Sequence, residues 1–323
     1  MFLRLNHSRP TNPNECWISR SLIHKLAACQ LLFFTITCLR PVLAQEAFDL
    51  ILLDTKSSAV GLQVVPGSAQ QITNRDGYDN QPYFINNQQL VFTSRAKNGS
   101  SDIILYNFET KKFTNMTRTD KVSEYSPALT ACGTYISAVR VEEDGRQRLW
   151  LYPINFGEPE LLYDDISPVG YYGWAGEVAA LSVVGDEVNK LVFPYSKADI
   201  QPIAFDVGRC VQPRPNQRSI GFIDHSQSTS TAEGITYTLK AYDPKTRTIE
   251  NLGPTLPGSE DFLWLDKNRV IMARGKDLYF RHVKKKEGWV RFAIVSVPGY
   301  GGISRMALSP RKDKLILVMD RLK

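Results

Sequence analysis

Short apolar blocks return along the chain at a regular interval. Asp49 opens DLILLD, Asp102 opens DIILYN, and Arg148 opens RLWLYP. Lys190 opens KLVFPY, Thr238 opens TLKAYD, and Asp277 opens DLYFRH. Each block is too short for a helix and reads as a strand with both faces buried. Before each lies a second pattern: a short apolar strand, a turn of Asn, Gly, Lys or Asp, and another apolar strand. Gln81 opens QPYFINNQQLVFTS, Ser126 opens SPALTACGTYISAV, and Gly173 opens GWAGEVAALSV. Cys210, Phe262 and Arg305 open the others. This is the pattern of a β-hairpin, and its second strand carries Leu90, Ile136, Ala180, Ile220, Val270 and Leu315 at matching places. A more polar strand follows some of the blocks, at 112–117, 248–252 and 289–295.

The unit is therefore a four-stranded antiparallel meander with a period of about 45 residues, within the range of propeller blades. One such sheet cannot bury both faces alone. Set radially, each face packs on the next sheet, and only short edges remain. The repeat begins at Phe48 with a third and fourth strand, and it ends after a first and second (RMALSPRKDKLILVMD). Those halves complete one unit. The expectation is an all-β, six-bladed β-propeller of four-stranded antiparallel blades, closed by pairing of the N- and C-terminal strands, in one domain over 45–323.

Three stretches carry a family resemblance. Ser126-Pro127 through Val139 is one, and Gln81-Pro82 through Ser94, followed by Gly99 and DIILYN, is another. Ser309-Pro310-Arg311-Lys312-Asp313 through Val318 is the third. Together they resemble the WD40-like (PD40) repeats of TolB-type periplasmic propellers. The resemblance implies a TolB-like scaffold that binds a protein or cell-envelope partner. It departs from TolB itself, because an additional N-terminal α/β domain has no room between Ala44 and Phe48.

Residues 1–44 read as a secretory signal. Arg4, Arg9, Arg20 and Lys25 precede the apolar stretch LAACQLLFFTITCL, and Val42-Leu43-Ala44 forms a small-residue cleavage pattern. That stretch is too short to span a hydrocarbon core of about 30 Å. Its removal takes five of the 39 basic and one of the 33 acidic residues, lowering the net charge from +6 to +2. The basis for nucleic-acid binding goes with it. The expected product is periplasmic or secreted, and monomeric, with no membrane span. Only Cys132 and Cys210 stay, and their pairing is left open.

The catalytic inventory is poor. No G-x-S-x-G nucleophile elbow is present, and only His225 and His282 follow Ala44. Asp224-His225-Ser226 reads as a polar loop at a strand end, since neighbouring strand residues point to opposite faces. Interest moves to the loops entering the innermost strands. There, Asp79, Asn80, Glu124, Tyr125, Tyr171, Tyr172, Arg209, Glu260, Asp261 and Arg305 are expected around a channel mouth. The aromatics Tyr78, Tyr125, Tyr171, Tyr172 and Trp174 at that place suit recognition of a partner, with Trp174 also reading as a packing residue. Arg209 and Arg305 would partly neutralise the acids. Asp79, Glu124 and Glu260 are candidates for a Ca²⁺-like ion, which takes oxygen ligands. They support an alternative reading as a metal-dependent hydrolase or lactonase. The principal expectation is a binding protein without a catalytic residue or an obligatory cofactor. Lys284-Lys285-Lys286 reads as a solvated turn, and the sequons at Asn98 and Asn115 as chance matches.

Overall fold

The computed structural model describes residues 47–58, 61–95 and 99–322. The signal sequence expected over 1–44 and the Asn98 sequon lie outside the described residues. Among the described residues there is no helix; the regular structure is all strand.

Four sheets are four-stranded antiparallel meanders. The first comprises Ser123–Leu129, Tyr135–Val141, Gln147–Pro153 and Glu160–Leu161. The second comprises Val169–Ala175, Val178–Val183, Lys190–Ser196 and Asp199–Phe205. The third runs through Val207–Pro213, Ile220–Thr231, Gly234–Asp243 and Thr248–Pro254, and the fourth through Phe262–Asp266, Arg269–Arg274, Asp277–His282 and Val290–Ile294. The remaining strands form one nine-stranded sheet with two halves. One half is a meander of Tyr78–Phe84, Gln89–Arg95, Ser101–Asn107 and Lys112–Asn115. The other orders Tyr300–Leu308, Lys314–Arg321 and Phe48–Ser57, with Leu62–Val64 and Gln70–Gln71 outermost. The halves meet in a single parallel pair, Phe48 with Tyr78. Below, each sheet or half is named by the first residue of its innermost strand.

In the Tyr300 half, the chain-terminal strands pair as expected. Phe48–Ser57 lies antiparallel to Lys314–Arg321 over seven residue pairs, from Phe48 with Asp320 to Asp54 with Lys314. Asp49, wholly buried, fastens this junction. It accepts hydrogen bonds from Tyr300 Oη at 2.7 Å, Thr73 Oγ1 at 3.1 Å and Arg321 Nε at 3.0 Å.

Packing follows the alternation of side chains across each pleat. Val91 and Ile103 of the Tyr78 half meet Ile136 and Tyr152 of the Ser123 sheet. Val139 and Leu149 meet Tyr172 and Leu181, and Ala180 and Phe193 meet Phe222 and Tyr242. Ile223 and Leu239 continue onto Phe262 and Met272, then Leu263 and Ile271 onto Ile51 and Leu317. Leu50 and Ile316 return to Leu90 and Phe92. The contacts run around a ring and come back to their start, so the fold is an all-β propeller. Leu90, Ile136, Ala180, Ile220, Val270 and Leu315 are each at most 1% exposed. Full burial of a side chain of Leu or Ile size contributes about 1.5–3 kcal/mol.

A threonine latch recurs at the outer strand. Thr73 Oγ1 accepts from Leu50 N and donates to Asp49; Thr117 Oγ1 accepts from Ile103 N and donates to Asp102. Thr255 Oγ1 takes Tyr237 N in the same way. Each latch satisfies a third-strand amide just where the short outer strand no longer reaches it.

The junction can be tested directly. Asp49→Ala removes a buried carboxylate while leaving Arg321, Tyr300 and Thr73 without their shared acceptor. The expected loss is about 3 kcal/mol of unfolding free energy, read from denaturant titration with an unchanged slope. Asp49→Asn, which keeps an acceptor oxygen, should lose less.

Candidate functional site

The innermost strands surround a central cavity of about 180 Å³. Residues from every innermost strand line it, and its shape comes from interruptions in those strands. In the Tyr78 half, pairing slips between Asn80 and Tyr83; in the Ser123 sheet it slips between Tyr125 and Ala128. Gln81 (φ 55°) and Ser126 (φ 54°) sit at these bulges in the left-handed region, each just before a proline. Such a conformation is uncommon for a residue with a side chain, and here neighbours hold it in place. Gln81 Oε1 accepts from Thr93 Oγ1 and from Ser126 N, both at 2.8 Å, joining two adjacent innermost strands.

Similar stitches continue around the wall. Tyr172 Oη donates to the Ser126 carbonyl at 2.8 Å and sits 2.8 Å from Ser137 Oγ, which also accepts from Trp174 Nε1 at 3.0 Å. Gly173 lets the next strand come close, because a Cβ there would lie 3.0 Å from the Val211 carbonyl oxygen. Arg209 Nε donates to Asp261 Oδ2 at 2.8 Å, with a second contact from Nη2. Asp261 Oδ1 faces Arg305 Nη1 at 3.5 Å, and the Arg305 guanidinium lies 5.6 Å from the centre of the Tyr171 ring.

The sequence-derived candidates divide into two groups. Tyr171, Tyr172, Arg209, Asp261 and Arg305 line the cavity. Asp79, Asn80, Glu124, Tyr125 and Glu260 are not in its lining. The expectation of loop positions also needs correcting. Except for Glu260 and Asp261, all lie within innermost strands, which start several residues earlier than the hydrophobic pattern suggested.

Burial explains what the outlying carboxylates do. Asp79 is wholly buried, accepting from Arg75 Nε at 3.0 Å and Ser94 Oγ at 2.8 Å. Asn80 Oδ1 accepts from Gln81 N at 2.7 Å. Glu124, also wholly buried, accepts from Thr119 Oγ1 at 2.9 Å and Tyr152 Oη at 3.0 Å. Burial pushes its carboxyl above the usual range; the Thr119 and Tyr152 hydrogen bonds oppose that rise, and nearby Asp102 adds to it. Tyr152 is raised in turn by its own burial and by Glu124, so it stays a donor. Among the described residues, no three His, Cys, Asp or Glu side chains come together as a metal site. Asp79, Glu124 and Glu260 are thus not assembled around one ion.

The remaining candidates lie elsewhere. Cys132 and Cys210 are both free thiols. Cys132 is exposed and brought down to about 7 by hydrogen bonds with Thr130 and Thr134, whereas burial raises Cys210 to about 12. Asp224, His225 and Ser226 belong to the strand Ile220–Thr231, not to a loop. Asp224 Oδ1 accepts from Ser226 N at 2.8 Å, Lys240 pairs with Asp224, and His225 stacks on Tyr237 at 4.0 Å. Lys284, Lys285 and Lys286 occupy a turn after Asp277–His282, where Lys284 pairs with Glu250.

No protein-family model matches the sequence, and no curated protein matches it significantly. Solved structures do resemble it. A TolB-type protein from Agrobacterium tumefaciens superposes with a TM-score of 0.61 at 11% identity, covering 85% of this chain and 98% of that one. TolB from Acinetobacter baumannii gives 0.54 at 10% identity; the match covers 85% of this chain and 64% of that one. A chain of the nidogen–laminin complex gives 0.56 at 11%, covering 84% and 98%. These likenesses are of fold: the protein is a β-propeller of the kind seen in TolB.

Glu124 makes the site's own pH test. A carboxyl raised on folding favours the protonated native state. Its contribution is fully present below the unfolded value near 4.3 and is lost as pH rises through the folded value. Glu124→Gln should therefore be more stable than the parent at pH 7, with the difference shrinking towards pH 4. Melting temperatures measured across that range check the sign; a variant less stable at pH 7 would refute it.

Proposed function

We propose that this chain is an exported, non-catalytic, six-bladed propeller that binds a protein or cell-envelope partner at the mouth of its central channel. Counting the two halves of the nine-stranded sheet as separate blades yields six, since a single residue pair joins them. Export to the periplasm or beyond rests on the signal-like residues 1–44 and on the likeness to TolB. Fold alone does not assign function, so the weight falls on the site.

One observation carries the reading: the central cavity presents Tyr171, Trp174, Arg209 and Arg305, the residue types that dominate binding hot spots. The carboxylates expected as candidates for chemistry are engaged inside the blades, by Arg75 and Ser94 at Asp79 and by Thr119 and Tyr152 at Glu124. A hydrolase centred on a divalent ion would need ligands gathered at one point, and these are not. The protein is a binding scaffold in which blade edges supply rigidity and the channel mouth supplies selectivity.

The test is affinity capture from envelope extract by the purified protein, followed by titration with the purified partner. The double variant Tyr171→Ala/Arg209→Ala should bind that partner at least about 30-fold more weakly. A partner bound equally well by the variant would move the interface off the channel. Absence of any stoichiometric partner would refute the scaffold reading.

A further inference from the structure

Arg305 is the least satisfied cation in the cavity wall. Its side chain is only 16% exposed. A guanidinium carries five N–H donors, and removing it from water is costly unless an anion or strong acceptors replace the lost hydration. Among the described residues none of those donors makes a hydrogen bond to the protein; the nearest carboxylate oxygen, Asp261 Oδ1, is 3.5 Å away. Asp261 is already engaged by Arg209, which donates through both Nε and Nη2 to its other oxygen. One carboxylate thus stands between two guanidiniums, hydrogen-bonded to Arg209 and only in a long ion pair with Arg305.

The surroundings rule out several internal remedies. Glu260 interacts with Tyr237 and lies near Arg209, and it is not in the cavity lining. Tyr171 offers its ring face to Arg305, which orients the guanidinium without using its N–H groups. The cavity beside it, about 180 Å³, is many times the volume one water requires. The lining is mixed and includes Gln81 and Ser126, so an occupant would meet polar as well as aromatic surface.

We propose that the channel binds a carboxylate, seated in the fork of Arg305 over Tyr171, with the Arg209–Asp261 pair as its flanking wall. A carboxylate matches the paired donors of a guanidinium, and in a partly enclosed site such a bond is stronger than a neutral one. This specifies the chemistry of the partner and rests on the channel-mouth reading above. Two sources supply the group: a small free acid, or the C-terminal carboxylate of a peptide.

Isothermal titration of the full chain separates them, with succinate, the tripeptide Ala-Ala-Phe as free acid, and the same tripeptide as C-terminal amide. Saturable 1:1 binding of a free acid, with the amide much weaker, is the expected result. Succinate alone would assign a small acid, and the peptide acid alone a chain terminus. Arg305→Gln should weaken the acid about 10–100-fold, Arg305→Lys less, and Arg291→Gln on an outer strand not at all. Amide and acid binding equally, or neither acid binding, would overturn the proposal. Should Arg305→Gln fail to fold, the Arg305→Lys comparison still decides: unchanged acid affinity there removes the fork. A captured partner held unchanged by Arg305→Gln would leave the scaffold reading standing and discard the carboxylate.

Discussion

A four-stranded meander has two faces and no way to cover either by itself. Everything else in this protein follows from meeting that requirement in a circle. Each second strand carries a run of buried residues because both its faces are covered, and it places one fully buried residue at the same point. Most third strands, expected from the sequence to be buried on both faces, instead alternate buried with half-buried positions. The circle works only if its last interface is made as well as the others. The ladder between Phe48–Ser57 and Lys314–Arg321 does this, and Asp49 anchors it with an alcohol, a phenol and a guanidinium at once.

The same economy shapes the channel. Buried carboxylates cost free energy unless donors surround them, and Asp49, Asp79 and Glu124 each find those donors mainly within their own sheet or half. Their charges are spent on architecture. Toward the axis, bulges at Gln81 and Ser126 interrupt the ladders and open space that aromatic and guanidinium groups line. The ionic inventory there is small and unevenly divided, with Asp261 closer to Arg209 than to Arg305. The cavity wall is thus an incomplete ion-pair network carried on the innermost strands.

Much of the fold was legible because burial imposes periodicity. The third strands, the hairpins and the joined termini all appear in the hydrophobic pattern and then in the pairing. What stayed hidden lacked an apolar signature. The innermost strands begin at residues such as Tyr78 and Ser123, ahead of the apolar blocks, where polar residues and a following proline read as loop. The long hairpin of Ile220–Thr231 and Gly234–Asp243 ends in a Ser/Thr-rich tip exposed to solvent, so nothing apolar marked it as strand. Its tip is held by Gly258 N donating to the Ile235 carbonyl and by the ion pair of Glu233 with Arg274. Among the site candidates, Tyr171, Arg209, Asp261 and Arg305 stand near the starts of their hairpins in the sequence, and in the structure they line the cavity. Asp79 and Glu124 were misplaced because an acid near a strand start looks the same whether it faces a channel or a neighbouring hydroxyl. The threonine latches did have a signal, in Thr73, Thr117 and Thr255 each following an outer strand, but it is one residue deep.

The direction of the closing ladder has a mechanical meaning. Phe48 and Asp320 face each other at one end of an antiparallel pair, so the two chain ends leave the ring side by side. Tension applied across them would not shear seven pairs together; it would load them in succession, as a zipper opens. Asp49 and Arg321 lie at the first tooth. A pull on the two ends therefore acts on the seam of the ring, and the residues that lock the seam are also the first to feel it.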